Sequence, residues 1–148
     1  MNRILTTLSL IALTATGCEV VHGPTLEGEW EGELQCSGGG YAAESFDMVV
    51  ELERDQDVYE GDGEIDLGNY EGIDLWFDFS IELEKEEPRG EQELDADLDD
   101  CSFHMDGDSD SVSDCSVDEV EWDGEDEIVA EVPYFLGLDW SCEIVLER

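Results

Sequence analysis

Basic residues are scarce in this chain. Its 148 residues include five Lys and Arg against 43 Asp and Glu, so the formal net charge is −38 at pH 7. Nucleic acid is excluded as a partner, because its phosphates would be repelled by so acidic a protein. The same charge destabilises a compact state through self-repulsion, which disulfides, bound cations or a salty medium must offset. The composition therefore favours adaptation to a saline environment.

The motifs of common catalytic and zinc sites are also missing. The sequence contains no Gly-x-Ser-x-Gly elbow, no phosphate-binding glycine loop and no Cys-x-x-Cys pair, and its only histidines are His22 and His104. Carboxylates are so numerous that no acid and base pair of a glycosidase can be singled out. We therefore predict a protein that is not an enzyme, and a carbohydrate-active enzyme is the least favoured interpretation.

Helical periodicity is absent after Leu26, where apolar and acidic residues alternate instead. Alternation with period two is typical of strands that have one buried and one solvated face. Trp76 is an exception, because it falls among the acidic positions of its strand and indicates either an exposed contact residue or a bulge. The alternating segments are residues 46–52, 59–67, 73–83, 94–98, 117–122, 127–134 and 138–146.

The turns between these segments decide the predicted fold. Most connections are short and rich in Gly, Asp or Pro, which favours a meander of seven to nine antiparallel strands. We predict an all-β, up-and-down β-barrel over residues 26–148, with a β-sandwich as the alternative. The alternation also assigns most carboxylates to the solvent face of the sheet, where they need no catalytic role.

The N-terminal segment predicts export and a lipid anchor. Arg3 precedes an apolar run at residues 4–13, which is too short to span a bilayer, and small residues 14–17 lead to Cys18. This pattern resembles the lipobox of bacterial lipoproteins, although Ala15 stands where that motif usually has Leu. The resemblance implies cleavage before Cys18 and a diacylglyceryl group on its thiol. An ordinary secretory signal, with Cys18 free for a disulfide, is the alternative.

The resemblance also implies an organisation and a location. Residues 1–17 form the signal peptide, residues 18–25 a lipidated tether and residues 26–148 one domain in the bacterial cell envelope. Glu19 is not the Asp that retains enteric lipoproteins in the inner membrane, so the outer membrane is favoured by analogy.

The cysteine count agrees with an acylated Cys18. Five cysteines are present, and removing one for acylation leaves an even set in an oxidising, exported context. Two disulfides are expected, and four cysteines allow three connectivities. The set is Cys36, Cys101, Cys115 and Cys142.

The first strand carries a second resemblance. Gly28-Glu29-Trp30 is similar to the Gly-x-Trp of lipocalin-type barrels, whose Trp packs under an Arg from the last strand. If the first and last strands here are antiparallel neighbours, the register that sets Cys36 opposite Cys142 also sets Trp30 opposite Arg148. This arrangement implies a Cys36–Cys142 disulfide and leaves Cys101 to pair with Cys115.

The segment between Cys101 and Cys115 is a candidate cation site. Its acids depart from strand alternation, and an Asp-x-Asp-x-Asp run suits a hard cation such as Ca²⁺. It is not an EF-hand, because Ser111 stands where the turn glycine belongs. A solvated acidic loop is the alternative. The candidate ligands are Asp106, Asp108, Asp110 and Asp114.

Two functions fit these observations. The first is a membrane-anchored structural or interaction protein, expected to be a monomer, that binds divalent cations or basic partners through its acidic outer face. The second is a lipocalin-like carrier that holds a small hydrophobic ligand inside the barrel. Large inward residues such as Phe77 and Phe79 would fill a narrow barrel and favour the first function.

Overall fold

The computed structural model describes residues 25–85, 93–133, 135 and 140–148, and these residues are mostly β-strands. In this part of the chain no helix is long and apolar enough to cross a membrane. The strands are β1 Gly28–Gly38, β2 Tyr41–Asp55, β3 Val58–Tyr70, β4 Ile73–Lys85, β5 Glu93–Met105, β6 Asp108–Ser111, β7 Asp118–Trp122, β8 Glu127–Val132 and β9 Trp140–Glu147.

Eight of these strands form a closed antiparallel barrel. Strands β1 to β5 pair in sequence, β5 pairs with β7, and β7 to β9 lead back to β1. The remaining strand, β6, pairs only with the last part of β5. The predicted all-β barrel is therefore confirmed, and the β-sandwich alternative is not adopted.

Alternation places the apolar residues inside the barrel. Residues such as Leu34, Val50, Ile65, Phe79 and Ile144 are buried, whereas no polar or charged residue is buried in the part of the chain that the structure describes. Because side chains alternate across a strand, the carboxylates between these positions point into solvent. The acids thus keep their hydration, which avoids the several kcal/mol per ion that burial would cost.

The seam between β1 and β9 has the predicted register. Cys36 is opposite Cys142, with their Cα atoms 4.0 Å apart, and the two residues form a disulfide. At one end of the seam, the Arg148 guanidinium carbon lies 4.5 Å from the centroid of the fully buried Trp30 ring. The Trp30 Nε1 donates a hydrogen bond to the Leu26 carbonyl at 2.8 Å. The second predicted disulfide, Cys101–Cys115, is also present.

Two bulges interrupt the strands on either side of β4. In β3 the pairing shifts by one residue between Asp66 and Gly68, and Gly68 has a φ of 84°. In β5 the pairing with β4 also shifts by one residue, between Asp99 and Ser102. Asp100 lies in this interval and has a φ of 49°. One inserted residue moves all later side chains of that strand to the other face. The Asp100 bulge therefore turns Cys101 inward, where Cys115 reaches it.

Trp76 and the predicted loop 101–115 differ in detail from the sequence interpretation. Trp76 lies on the outer face and is half-buried, and the nearby bulge is in β3 rather than in its own strand. The loop begins as a continuation of β5 and turns back as β6. Strand β6 was not predicted because its sequence, Asp-Ser-Asp-Ser, is exposed and contains no apolar residue to reveal a period.

We expect Gly63→Ala to destabilise the barrel. Gly63 is opposite Phe79 across β3 and β4, and the Phe79 ring fills the space that a Cβ on Gly63 would need. The loss should be about 1–3 kcal/mol in the free energy of unfolding, as for other overpacked cores. Urea unfolding measures it. In a Phe79→Leu background the penalty should shrink, and an equal penalty in both backgrounds would contradict the assigned contact.

Candidate functional site

A small apolar cavity lies in the barrel interior. Its volume is about 60 Å³, and it is bordered by inward residues including Leu34, Val50, Phe79, Val120 and Ile144. Sites for drug-sized molecules occupy roughly 300–1,000 Å³. Aromatic packing explains the small volume, since the Phe77 ring lies 6.2 Å from Phe79 and 5.7 Å from Phe135. The interior is thus filled mostly by the protein's own side chains.

The segment between β6 and β7 borders this cavity. Val112, Asp114, Cys115, Ser116 and Val117 all contribute to the lining. The segment is fixed to β5 by the disulfide between Cys115 and Cys101 and by a 2.8 Å hydrogen bond from the Val112 N–H to the Cys101 carbonyl. It therefore covers the gap that β7 leaves beside β5, because β7 pairs with only the first two residues of that strand.

The predicted calcium ligands are spread along this region. Asp106 occupies the turn after β5, Asp108 and Asp110 lie on β6, and Asp114 lies in the following segment. The described residues contain no group of three or more His, Cys, Asp or Glu that could hold a metal ion. Calcium binding by this loop therefore remains a sequence-based prediction. Cys18 and His22 lie outside the described residues.

His104 belongs to a cross-strand cluster on the outer face. Its ring is parallel to that of Trp76, with centroids 4.8 Å apart, and the two residues are directly opposite each other on β5 and β4. The Nε2 of His104 lies 2.7 Å from an Asp78 carboxylate oxygen, but outside the geometry of a straight hydrogen bond. The contact joins β4 to β5 on the outer face of the sheet.

A groove on the outer wall of β2 to β5 concentrates negative charge. Eight of its twelve lining residues are acidic, and the guanidinium of Arg54 is its only basic group. The field of such a surface attracts cations and basic molecules and repels anions. The acidic residues are Glu51, Glu53, Asp55, Glu60, Asp62, Glu82, Asp99 and Asp100.

The described Lys and Arg residues all lie at one end of the barrel, which we call the seam end because Trp30 and Arg148 meet there. Arg54 is near the end of β2 and Lys85 ends β4. Lys85 Nζ lies 4.4 Å from the centroid of Trp122, and Arg54 stacks over Tyr59 at 5.9 Å. Each cation thus covers an aromatic ring of the core instead of forming a free basic patch. Arg3 and Arg89 lie outside the described residues.

The turn that follows β7 fixes Arg148. The Asp123 carboxylate accepts backbone N–H bonds from Glu125 at 2.8 Å and from Glu127 and Asp126 at 3.1 Å. These bonds, chiefly that from Glu125, and the positive charge of Arg148 hold the pKa of Asp123 below its ordinary value of 3.8. Arg148 in turn donates a 3.0 Å hydrogen bond to the Glu125 carbonyl. The turn therefore supports the cation that covers Trp30.

Comparison with known proteins does not extend this description. The scan against protein-family models found no match, and the search of curated proteins found none either.

We expect the contribution of Asp123 to stability to depend on pH. Because its pKa is lower in the folded state, the stabilisation is complete above the unfolded value, near 3.8, and disappears as the pH falls through the folded value. Asp123→Asn keeps the shape but not the charge, so it should lower Tm at neutral pH and have less effect as the pH falls below about 4. Thermal melts at constant high salt measure this.

The control for this pH series is Asp126→Asn, which removes the same charge from the same turn. It should raise or preserve Tm, because it relieves repulsion without removing the acceptor of the three N–H groups. Equal pH profiles for the two variants would contradict the role of Asp123.

The two disulfides should differ in their contribution to stability. Cys36–Cys142 spans 106 residues and Cys101–Cys115 spans 14. A longer closed loop restricts the unfolded chain more, so replacing the first pair by Ala should cost about 4–5 kcal/mol and the second about 3 kcal/mol. Urea unfolding at constant high salt measures both. A larger loss from the Cys101 and Cys115 pair would contradict this order.

Proposed function

We propose that this protein is a non-catalytic, lipid-anchored lipoprotein of the bacterial envelope that works through the outer surface of its barrel. The observation that carries this proposal is the packed interior. A cavity of about 60 Å³ is well below the roughly 300 Å³ at which small-molecule sites begin. A barrel with so little internal space is better suited to contacts made by its outer wall and its ends.

The cysteine pairing supports the anchor. Cys36, Cys101, Cys115 and Cys142 are all joined within the barrel, which leaves Cys18 without a partner in the barrel domain. Its position behind a short apolar run is the sequence pattern of an acylated cysteine. Since β1 begins at the seam end, a tether over residues 18–25 would attach the barrel to the membrane by that end.

The outer surface suggests the kind of partner. The groove on β2 to β5 presents eight carboxylates, and the formal net charge of the chain is −38. Anionic lipid headgroups and acidic proteins are repelled by this surface, whereas divalent cations and basic segments are attracted. We therefore favour an interaction role with cationic partners over a role in binding the bilayer itself.

A carrier of a small hydrophobic ligand is the second candidate. It is favoured by one observation, that the cavity lining is apolar except for Asp114 and Ser116. Native mass spectrometry of the protein extracted from its own membrane separates the two functions. A mass equal to that of the lipidated chain supports the interaction role, and an additional bound mass supports the carrier.

We expect the protein to incorporate an alkyne-labelled fatty acid through Cys18. A Cys18→Ser variant should lose the label and partition into the aqueous phase, because a serine hydroxyl does not accept the diacylglyceryl group. In-gel fluorescence after labelling in a bacterial host measures incorporation, and detergent phase separation measures partition.

The matched control is the paired replacement of Cys101 and Cys115 by Ser, which removes cysteines but leaves Cys18 in place. This variant should retain the label. Equal labelling of the parent and Cys18→Ser would disprove the lipid anchor.

A further inference from the structure

An exposed apolar surface lies at the end of the barrel opposite the seam end. Tyr70 is 67% exposed and Met105 is 46% exposed. Between them on β4 are the partly buried Ile73 and Leu75, with Tyr70 opposite Ile73 and Leu75 opposite Met105. Directly opposite residues share one face of a sheet with Cβ atoms about 5 Å apart. These four side chains form one surface, which we call the distal patch.

The two bulges create the distal patch. Without the extra residue near Gly68, Tyr70 would lie on the outer face of β3, and without the extra residue at Asp100, Met105 would lie on the outer face of β5. The bulge in β3 is held by Asp66, whose carboxylate accepts the Gly68 N–H at 2.8 Å. Bulges often redirect side chains at functional positions. Two independent insertions therefore bring large apolar residues to the same rim.

Among the described residues, the side chains of fixed charge near the distal patch are carboxylates, and the imidazole of the neighbouring His104 lies against the Asp78 carboxylate. Asp108 is directly opposite Met105 across β5 and β6 and shares its face, Asp106 lies in the turn between these strands, and both are exposed. The described Lys and Arg residues all lie at the seam end. Acidic residues in or beside the two turns that flank the patch are Glu71, Asp74, Asp106 and Asp108.

This charge restricts what can cover the distal patch. A second copy of this chain would bring the same negative charge, and an anionic bilayer would be repelled in the same way. In a segment that combines apolar side chains with Lys or Arg, the apolar side chains can cover the apolar surface and the cations can pair with the carboxylates beside it. Met is an adaptable apolar contact, and the Tyr70 ring can also accept a cation.

We propose that the distal patch docks a basic amphipathic segment of a partner protein. Apolar side chains of the segment contact Tyr70, Leu75 and Met105, and its cations face Asp106 and Asp108. This inference rests on the interaction role proposed above and names its surface and its partner. The distal patch is at the end away from the tether, so a partner reaches it without approaching the membrane.

The test uses the full chain and two fluorescent peptides of equal length and charge, one alternating Leu and Lys and the other alternating Ser and Lys. Anisotropy at constant salt should show tighter binding of the Leu-Lys peptide to the parent. Replacing both Tyr70 and Met105 by Ser should weaken that binding by about tenfold, the effect of losing central interface contacts. Binding of the Ser-Lys peptide should change little.

Val49→Ser is the matched control. Val49 is 41% exposed on the outer wall of β2, away from the distal patch, and is the third large apolar residue exposed in the described chain. This variant should bind the Leu-Lys peptide within about twofold of the parent. Equal losses in the two variants, or no loss in either, would overturn the proposal.

A second test uses only the parent protein, so its result does not depend on whether a variant folds. The chain has three Met residues, and in methyl NMR the Leu-Lys peptide should shift the ε-methyl of the exposed Met105 and leave that of the buried Met48 unchanged. An unperturbed Met105 methyl at saturating peptide would overturn the proposal.

Two further outcomes identify other occupants and would also overturn it. Sedimentation compares the parent with the variant that carries Ser at positions 70 and 105, and a dimer found only in the parent assigns the distal patch to a second copy. Vesicle flotation with phosphatidylglycerol uses protein from which the acyl group has been removed. If the parent floats with the vesicles and the variant with Ser at positions 70 and 105 does not, the distal patch is assigned to lipid. Since none of these results alters fatty-acid labelling at Cys18, the anchor and the docking surface fail independently.

Discussion

The closure of β1 onto β9 is the contact on which the rest of the structure depends. An open sheet of this sequence would leave two unpaired edges and an unprotected apolar face. Closure removes both edges, and the Cys36–Cys142 disulfide and the Arg148 guanidinium over Trp30 fix its register at two positions. The cation–π contact alone is worth roughly 0.5–2 kcal/mol. The turn at Asp123 adds to this closure because it holds Arg148 in place.

Closure also explains how a chain with this charge can fold. In a barrel, alternate residues of each strand point into the interior, and the residues between them point into water. Carboxylates on the outer face repel one another through water, whose high dielectric constant weakens the repulsion. The few cations of the described chain are therefore not needed as salt-bridge partners. Arg54, Lys85 and Arg148 instead cover aromatic rings at the seam end.

The parts that follow from period-two alternation could be predicted, and those that depend on its interruption could not. The barrel, both disulfides and the approach of Arg148 to Trp30 follow from parity together with the cysteine and Gly-x-Trp patterns. Strand β6 was missed because Asp108–Ser111 contains no apolar residue. The bulge at Asp100 is visible in the sequence in one way. Leu98 and Cys101, which both point inward, are three positions apart, whereas inward residues of a regular strand are two positions apart. The distal patch depends on both bulges, whose positions period-two alternation does not give.

The Asp100 bulge connects the interior of the barrel with its surface. Because every residue after the insertion changes face, the same shift turns Cys101 toward Cys115 and Met105 toward the rim. The disulfide then holds the 112–117 segment over the cavity, which restricts access to the interior. Met105 is exposed beside Leu75 and so contributes to the distal patch, at the end opposite the seam end. A single inserted residue therefore both helps to cover the interior of the barrel and places an apolar side chain at its rim.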